Sequence, residues 1–182
     1  MQISTKQILN ILYVLSLIIL IGLCIESGGF ITNTLYALFI NTSVVSHFWG
    51  HLDLSGLYEY DHGHFYVITV YMIIVALAKT LMFYLIVKIL HDKKINMDQP
   101  FNKELGRFAF NLAYLALLIG LFSSWGVKYS LWLEGFNIKM PNVESLRMGG
   151  ADVWLFMSVM LYVIAQIFKR GIEIQSENDL TV

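Results

Sequence analysis

The chain has 182 residues, of which 57% are apolar and only 14% charged, and its formal net charge is −1. Charge that sparse, against roughly 25% in a soluble domain, cannot cover a globule of this size, so the chain is read as an integral membrane protein. The same composition argues against direct nucleic-acid binding. It also excludes an internal disulfide framework, because Cys24 stands alone, and a disordered linker, because there are two prolines and no long Ser, Gly or charged run.

A bilayer span needs about 20 mostly apolar residues. Four segments qualify: 8–25, 65–87, 105–127 and 148–168. The predicted fold class is therefore an all-α membrane protein, a four-transmembrane-helix bundle forming one membrane domain over 1–182. The first span reads as a retained anchor. Its apolar run from Ile8 to Ile25 exceeds the about 7–15 residues of a signal peptide, and Ser27-Gly28-Gly29 is a poor cleavage site. Leu23 is too large for lipoprotein cleavage before Cys24.

Lys6, Lys88, Lys93, Lys94, Lys103, Arg107, Lys169 and Arg170 fall on one side of these spans, and only Lys128, Lys139 and Arg147 on the other. The positive-inside rule then places both termini in the cytoplasm. Segments 26–64 and 128–151 lie outside. The first holds no Lys or Arg, but four acids, four histidines and many aromatics. Together they are expected to form a small ordered extracytoplasmic cap. Leu35–Ile40 and Leu131–Met140 contain short β-compatible stretches that periodicity alone does not assign to strand or helix.

Lys79 is the most unusual residue. It lies about nine residues before Lys88, some 13 Å of helix, and so near mid-bilayer. A lysine there costs about 2.5–3.5 kcal/mol on insertion scales. No carboxylate is deep in any span, since Glu26 and Asp152 stand at outer ends, and Asn111 is among the few polar residues at depth. Lys79 either snorkels inward or hydrogen-bonds within the bundle; the functional reading is an ion, proton or ligand path.

His47 and His51 are spaced to share a helical face, and Asp61-His62-Gly63-His64 follows closely. Two such pairs are chemically able to hold zinc, making His47, His51, His62 and His64 the candidate metal ligands. The spacing matches no strong signature, and the H-E-x-x-H arrangement is missing. Interfacial histidines with ordinary hydrogen bonds are the simpler reading. Cys24, inside a span with no base nearby, is read as inert. Gly120, Gly126, Ser123 and Ser124 give the third span a small-residue face for close packing.

Gln99-Pro100-Phe101-Asn102-Lys103-Glu104 introduces the third span, with Asn102 as helix cap. The tail, 172–182, turns acidic after Lys169-Arg170 and ends on Leu180-Thr181-Val182. Glu173, Gln175, Glu177, Asp179, Leu180, Thr181 and Val182 are candidates for reading by a partner, against a frayed helix end as the plainer alternative.

The Pro100-Phe101 element and the tail pattern Phe168, Gly171, Ile174, Gln175, Glu177, Asp179, Leu180, Thr181 resemble the DUF2975 family of bacterial membrane proteins, with Ile174 where that family has Leu. The resemblance implies four spans and a place in a bacterial cytoplasmic (inner) membrane. By association only, it also implies a cytoplasmic helix-turn-helix transcription regulator as partner, because members are often encoded beside one. It implies no catalytic residue. The leading expectation is a non-catalytic membrane regulatory protein. The rivals are a small transporter or channel component built on Lys79, which would need a homo-oligomer or other partner, and a metal-dependent membrane enzyme using the four histidines.

Overall fold

A computed structural model describes residues 5–92, 102–136 and 138–179. Four long helices carry the architecture: α1 (Thr5–Phe39), α3 (His62–His91), α4 (Lys103–Glu134) and α5 (Ala151–Asp179). A 3₁₀ turn (Thr42–His47) and a short helix, α2 (Ser55–Tyr60), lie between α1 and α3. All four long helices are long and apolar enough to cross a membrane, and they coincide with the four segments read from sequence.

Two starts follow from local chemistry. The Asp61 carboxylate caps α3 by accepting the His64 N–H at 3.0 Å. Asn102 caps α4, as its position suggested, by accepting the Leu105 N–H at 2.8 Å.

Three helices run well past their predicted spans, and α4 does so by continuing to Glu134, into the stretch that begins at Leu131. The first helix has 35 residues and runs through Gly28-Gly29 to Phe39, absorbing the β-compatible stretch that begins at Leu35. Its polar side chains bond back to the helix: the Thr32 hydroxyl to the Gly28 carbonyl at 2.9 Å, and the Asn33 amide to the Gly29 carbonyl at 2.8 Å. Gly29 has a packing reason, because a Cβ there would run into the Trp49 indole. The last helix starts at Ala151, just after Gly150 at φ +74°, and continues past Phe168 as 29 residues of helix. The tail through Asp179 is therefore helical, while Leu180, Thr181 and Val182 lie outside the described residues, as does Pro100-Phe101.

The helices do not close into a ring. The backbones of α1 and α3, α3 and α4, and α4 and α5 lie side by side, and those of α1 and α5 do not approach one another. The four-helix bundle expected from sequence is thus an open row with two edge helices. Only 6% of the most apolar stretch of α1 is buried. A helix apolar all round satisfies itself in lipid without a protein partner on every side.

One core lies between α3, α4 and α5 and includes Val75, Met82, Leu112 and Ile119, with Trp154 and Leu161 against it. The other sits where α1 and α4 end and α3 and α5 begin, hereafter the loop end. There Phe30, Phe48, Leu57, Phe65, Leu133 and Met148 are buried together. No strand occurs among the described residues; Phe48 and Leu52 form a single antiparallel bridge.

The α4–α5 contact depends on small residues. A Cβ on Gly120 would stand 2.8 Å from the Leu155 side chain and 3.0 Å from its backbone nitrogen. Gly120→Val is expected to destabilise the protein by about 1–3 kcal/mol, read as a lowered thermal midpoint in detergent. An unchanged midpoint would mean that α4 and α5 are not so closely apposed.

Candidate functional site

The helix direction decides where Lys79 points. Cα–Cβ bonds tilt toward a helix N-terminus, and the N-terminus of α3 is at the loop end. Lys79 therefore reaches toward the loop end rather than toward Lys88, and it is hydrogen-bonded within the protein. Its Nζ donates to the Arg147 carbonyl at 3.1 Å and lies 5.8 Å from the centre of the Trp154 ring. Arg147 in turn places Nε 3.5 Å from a carboxylate oxygen of Glu26. One residue further on, the Thr80 hydroxyl donates to the Ala76 carbonyl at 2.9 Å and lies 3.2 Å from the Leu23 carbonyl of α1. Lys79 is thus part of a polar seam joining α1, α3 and the segment before α5. Glu26 lies within α1 rather than at its end.

Sequence reasoning did not connect Glu26 with Arg147. The available signal was that Arg147 is one of only three cations on its side of the membrane, while an acid stood at the supposed end of the first span.

Beside this seam is a cavity of about 370 Å³ lined by Phe30, the Trp49–Leu52 hairpin, Asn142, Glu144, Ser145 and Arg147. Gly50, His51 and Arg147 all have left-handed backbone, at φ +73°, +62° and +59°. For His51 and Arg147 that conformation is disfavoured and must be held by its surroundings. The hairpin is held by paired bonds between Phe48 and Leu52, at 2.9 and 3.1 Å. The opposite turn is held by Asn142 Oδ1, which accepts the Ser145 N–H at 2.7 Å. Leu146 and Met148, wholly buried, pin that turn to the core.

The candidate metal ligands are dispersed. His47 Nδ1 lies 3.0 Å from the Ser46 hydroxyl, and His51 faces the cavity. His62 stacks on Tyr58 with ring centres 4.0 Å apart. His64 Nδ1 lies 2.5 Å from the Tyr129 hydroxyl, with the Trp132 ring 5.6 Å away. Among the described residues no three His, Cys, Asp or Glu side chains are grouped to hold a metal. Cys24 is exposed on α1.

At the opposite end, hereafter the tail end, Asn111 does not meet Lys79. It is exposed and lines a pocket of about 190 Å³ with Lys88, Asp92, Glu104 and Arg107. Arg170 pairs with Glu173 at 3.0 Å. Ile172 seats on Gly106, where a Cβ would come within 3.2 Å of its Cδ1. The base of the tail therefore lies against the first turns of α4. Gln175 is half-buried, Glu177 is exposed, and Asp179 is the last helical residue described.

Two predictions follow from the polar contacts. Lys79→Met removes a charged donor from the Arg147 carbonyl and should cost about 1.5–3 kcal/mol of stability, while Lys79→Arg should retain most of it; thermal denaturation in detergent compares the two. The second concerns pH. The His64 N–H holds the Asp61 carboxyl below its ordinary range, and the Ser55 hydroxyl does the same for Asp53. A lowered folded-state pKa contributes stability above the ordinary carboxylate range, and that contribution is lost as pH falls through the folded value. The thermal midpoint should fall as the pH is lowered through and below the ordinary carboxylate range, and less steeply in Asp61→Ala. Identical slopes would remove Asp61 from the acid transition.

The model of the DUF2975 family, described as proteins of unknown function, matches residues 49–182. Neither a curated protein nor a solved structure matches the chain. The matched region takes in the cavity hairpin, α3, α4, the Arg147 turn, α5 and the tail, and it leaves out α1. A match over most of its length places this chain in the DUF2975 family.

Proposed function

We propose that this chain is a non-catalytic regulatory protein of the bacterial cytoplasmic membrane. In this reading its tail end faces the cytoplasm and engages a helix-turn-helix transcription regulator, and its loop end is an extracytoplasmic cap that senses a ligand or envelope condition. The observation that carries the reading is the seating of Ile172 on Gly106. It brings the base of the tail against the first turns of α4, so these two segments offer a partner one continuous surface at the tail end rather than two separate strings.

Helix α5 supports the same reading. Its 29 residues make about 43 Å of helix against a hydrocarbon thickness of about 30 Å. Two or three helical turns then stand clear of the membrane and carry Glu173, Gln175 and Glu177. An acidic helix beside an anionic leaflet is repelled from lipid, which leaves it free for a protein. Lys88, Lys103, Arg107, Lys169 and Arg170 cluster at that end and orient it inward.

The test is gentle purification from native membranes of the full-length chain and of a form truncated after Gly171, followed by identification of bound proteins. A DNA-binding protein recovered with the full-length chain and absent from the truncated form is the expected result, with membrane insertion equal in both. If both forms come away alone, the tail is not a docking element.

A further inference from the structure

We propose that the loop-end cavity binds a small zwitterion, of the size of a free amino acid or dipeptide, with its carboxylate on Arg147 and its ammonium group beside Glu144. This names the ligand class of the sensing end described above and rests on that reading.

Size sets the scale. At about 370 Å³ the cavity lies near the lower bound of about 300–1,000 Å³ for ligand sites, which suits a molecule of few heavy atoms. The walls are built, not incidental. The hairpin and the opposite turn each carry a non-glycine residue in left-handed backbone, His51 and Arg147, and both residues face the cavity. Strain of this kind persists only where the surroundings impose it. Phe48, Leu146 and Met148, each without exposure, supply that support.

The charges decide the chemistry. Arg147 spends Nε on Glu26, and its terminal nitrogens have no hydrogen-bond partner among the described residues. Its side chain is 65% exposed, so the planar fork remains open to a carboxylate. Glu144 stands three residues away on the same turn, is exposed, and forms no ion pair among the described residues. The two opposite charges are not spent on each other. A simple anion would meet the Glu144 carboxylate, and a simple cation would meet Arg147. A molecule carrying both charges satisfies both. The Trp49 indole and Phe30 supply an apolar wall, with the indole lodged in the notch left by Gly29.

The experiment is calorimetric titration of the full-length protein in detergent with each of the common free amino acids and with Ala-Ala. The N-acetyl and C-amide forms of whichever probe binds are then titrated. Saturable binding of at least one free zwitterion is expected, weakened about tenfold or more when either charge is capped. Glu144→Gln should erase the difference between the free and N-acetyl forms, and Arg147→Gln the difference between the free and amide forms. Should Arg147→Gln fail to fold, Glu144→Gln decides alone, since its side chain holds no ion pair. Absence of saturable binding across the set, or equal binding of capped and free forms, overturns the proposal. Recovery of a DNA-binding partner is read separately. Zwitterion binding without a partner sinks the regulatory reading alone, and a partner without zwitterion binding sinks this inference alone.

Discussion

The buried contact between Phe48 and Phe65, edge to face with ring centres 6.1 Å apart, is where the architecture is tied together. Within lipid the hydrophobic effect does not drive one apolar helix onto another. The open row of α1, α3, α4 and α5 reflects that, because the backbones of the long helices come close only between neighbours in the row. At the loop end the chain leaves the hydrocarbon and the hydrophobic effect operates again. Residues from α1, α3, α4 and both connecting segments then share one core. The short elements between α1 and α3 are ordered because they bury Phe48, Leu54 and Leu57 completely.

That core also explains how polar groups are accommodated lower in the row. Leu146 and Met148 anchor the turn before α5 and so fix the Arg147 carbonyl where Lys79 can reach it. Lys79 is stabilised by a backbone oxygen, and the Glu26 carboxylate is occupied by the Arg147 side chain. A lysine at mid-helix is tolerated because helix polarity directs it toward the wetter end, and because the chain returns there to meet it.

Much of this was legible in the sequence. The spans follow from length and apolarity, the starts of α3 and α4 from Asp61 and Asn102, and the close packing of α4 from its small residues. Three features were not legible. The continuation of α1 beyond Ile25 depends on Thr32, Asn33 and Thr34 turning their side chains back onto the helix, which composition does not reveal. The open row depends on which faces meet, and helices apolar on every side carry no such signal. The Glu26–Lys79–Arg147 seam joins residues far apart in sequence, and its key acceptor is a main-chain oxygen that no motif records. The four histidines drew attention as a set, yet only His51 reaches the cavity.

The small-residue face of α4 has one more consequence. Gly106, Ala113 and Gly120 follow one another at intervals of seven. Gly106 meets Ile172 and Gly120 meets Leu155, while Ala113 borders the groove that also holds Ser158 and Tyr162. A heptad spacing presents one repeating notch to a neighbouring helix. Such a rail fixes the distance between two helices far more strongly than it fixes their axial register. Register is left to the few bulky side chains that fill the notches. Ile172 and Leu155 therefore set how far along α4 the last helix sits, from just beyond the Arg147 turn to the acidic tail.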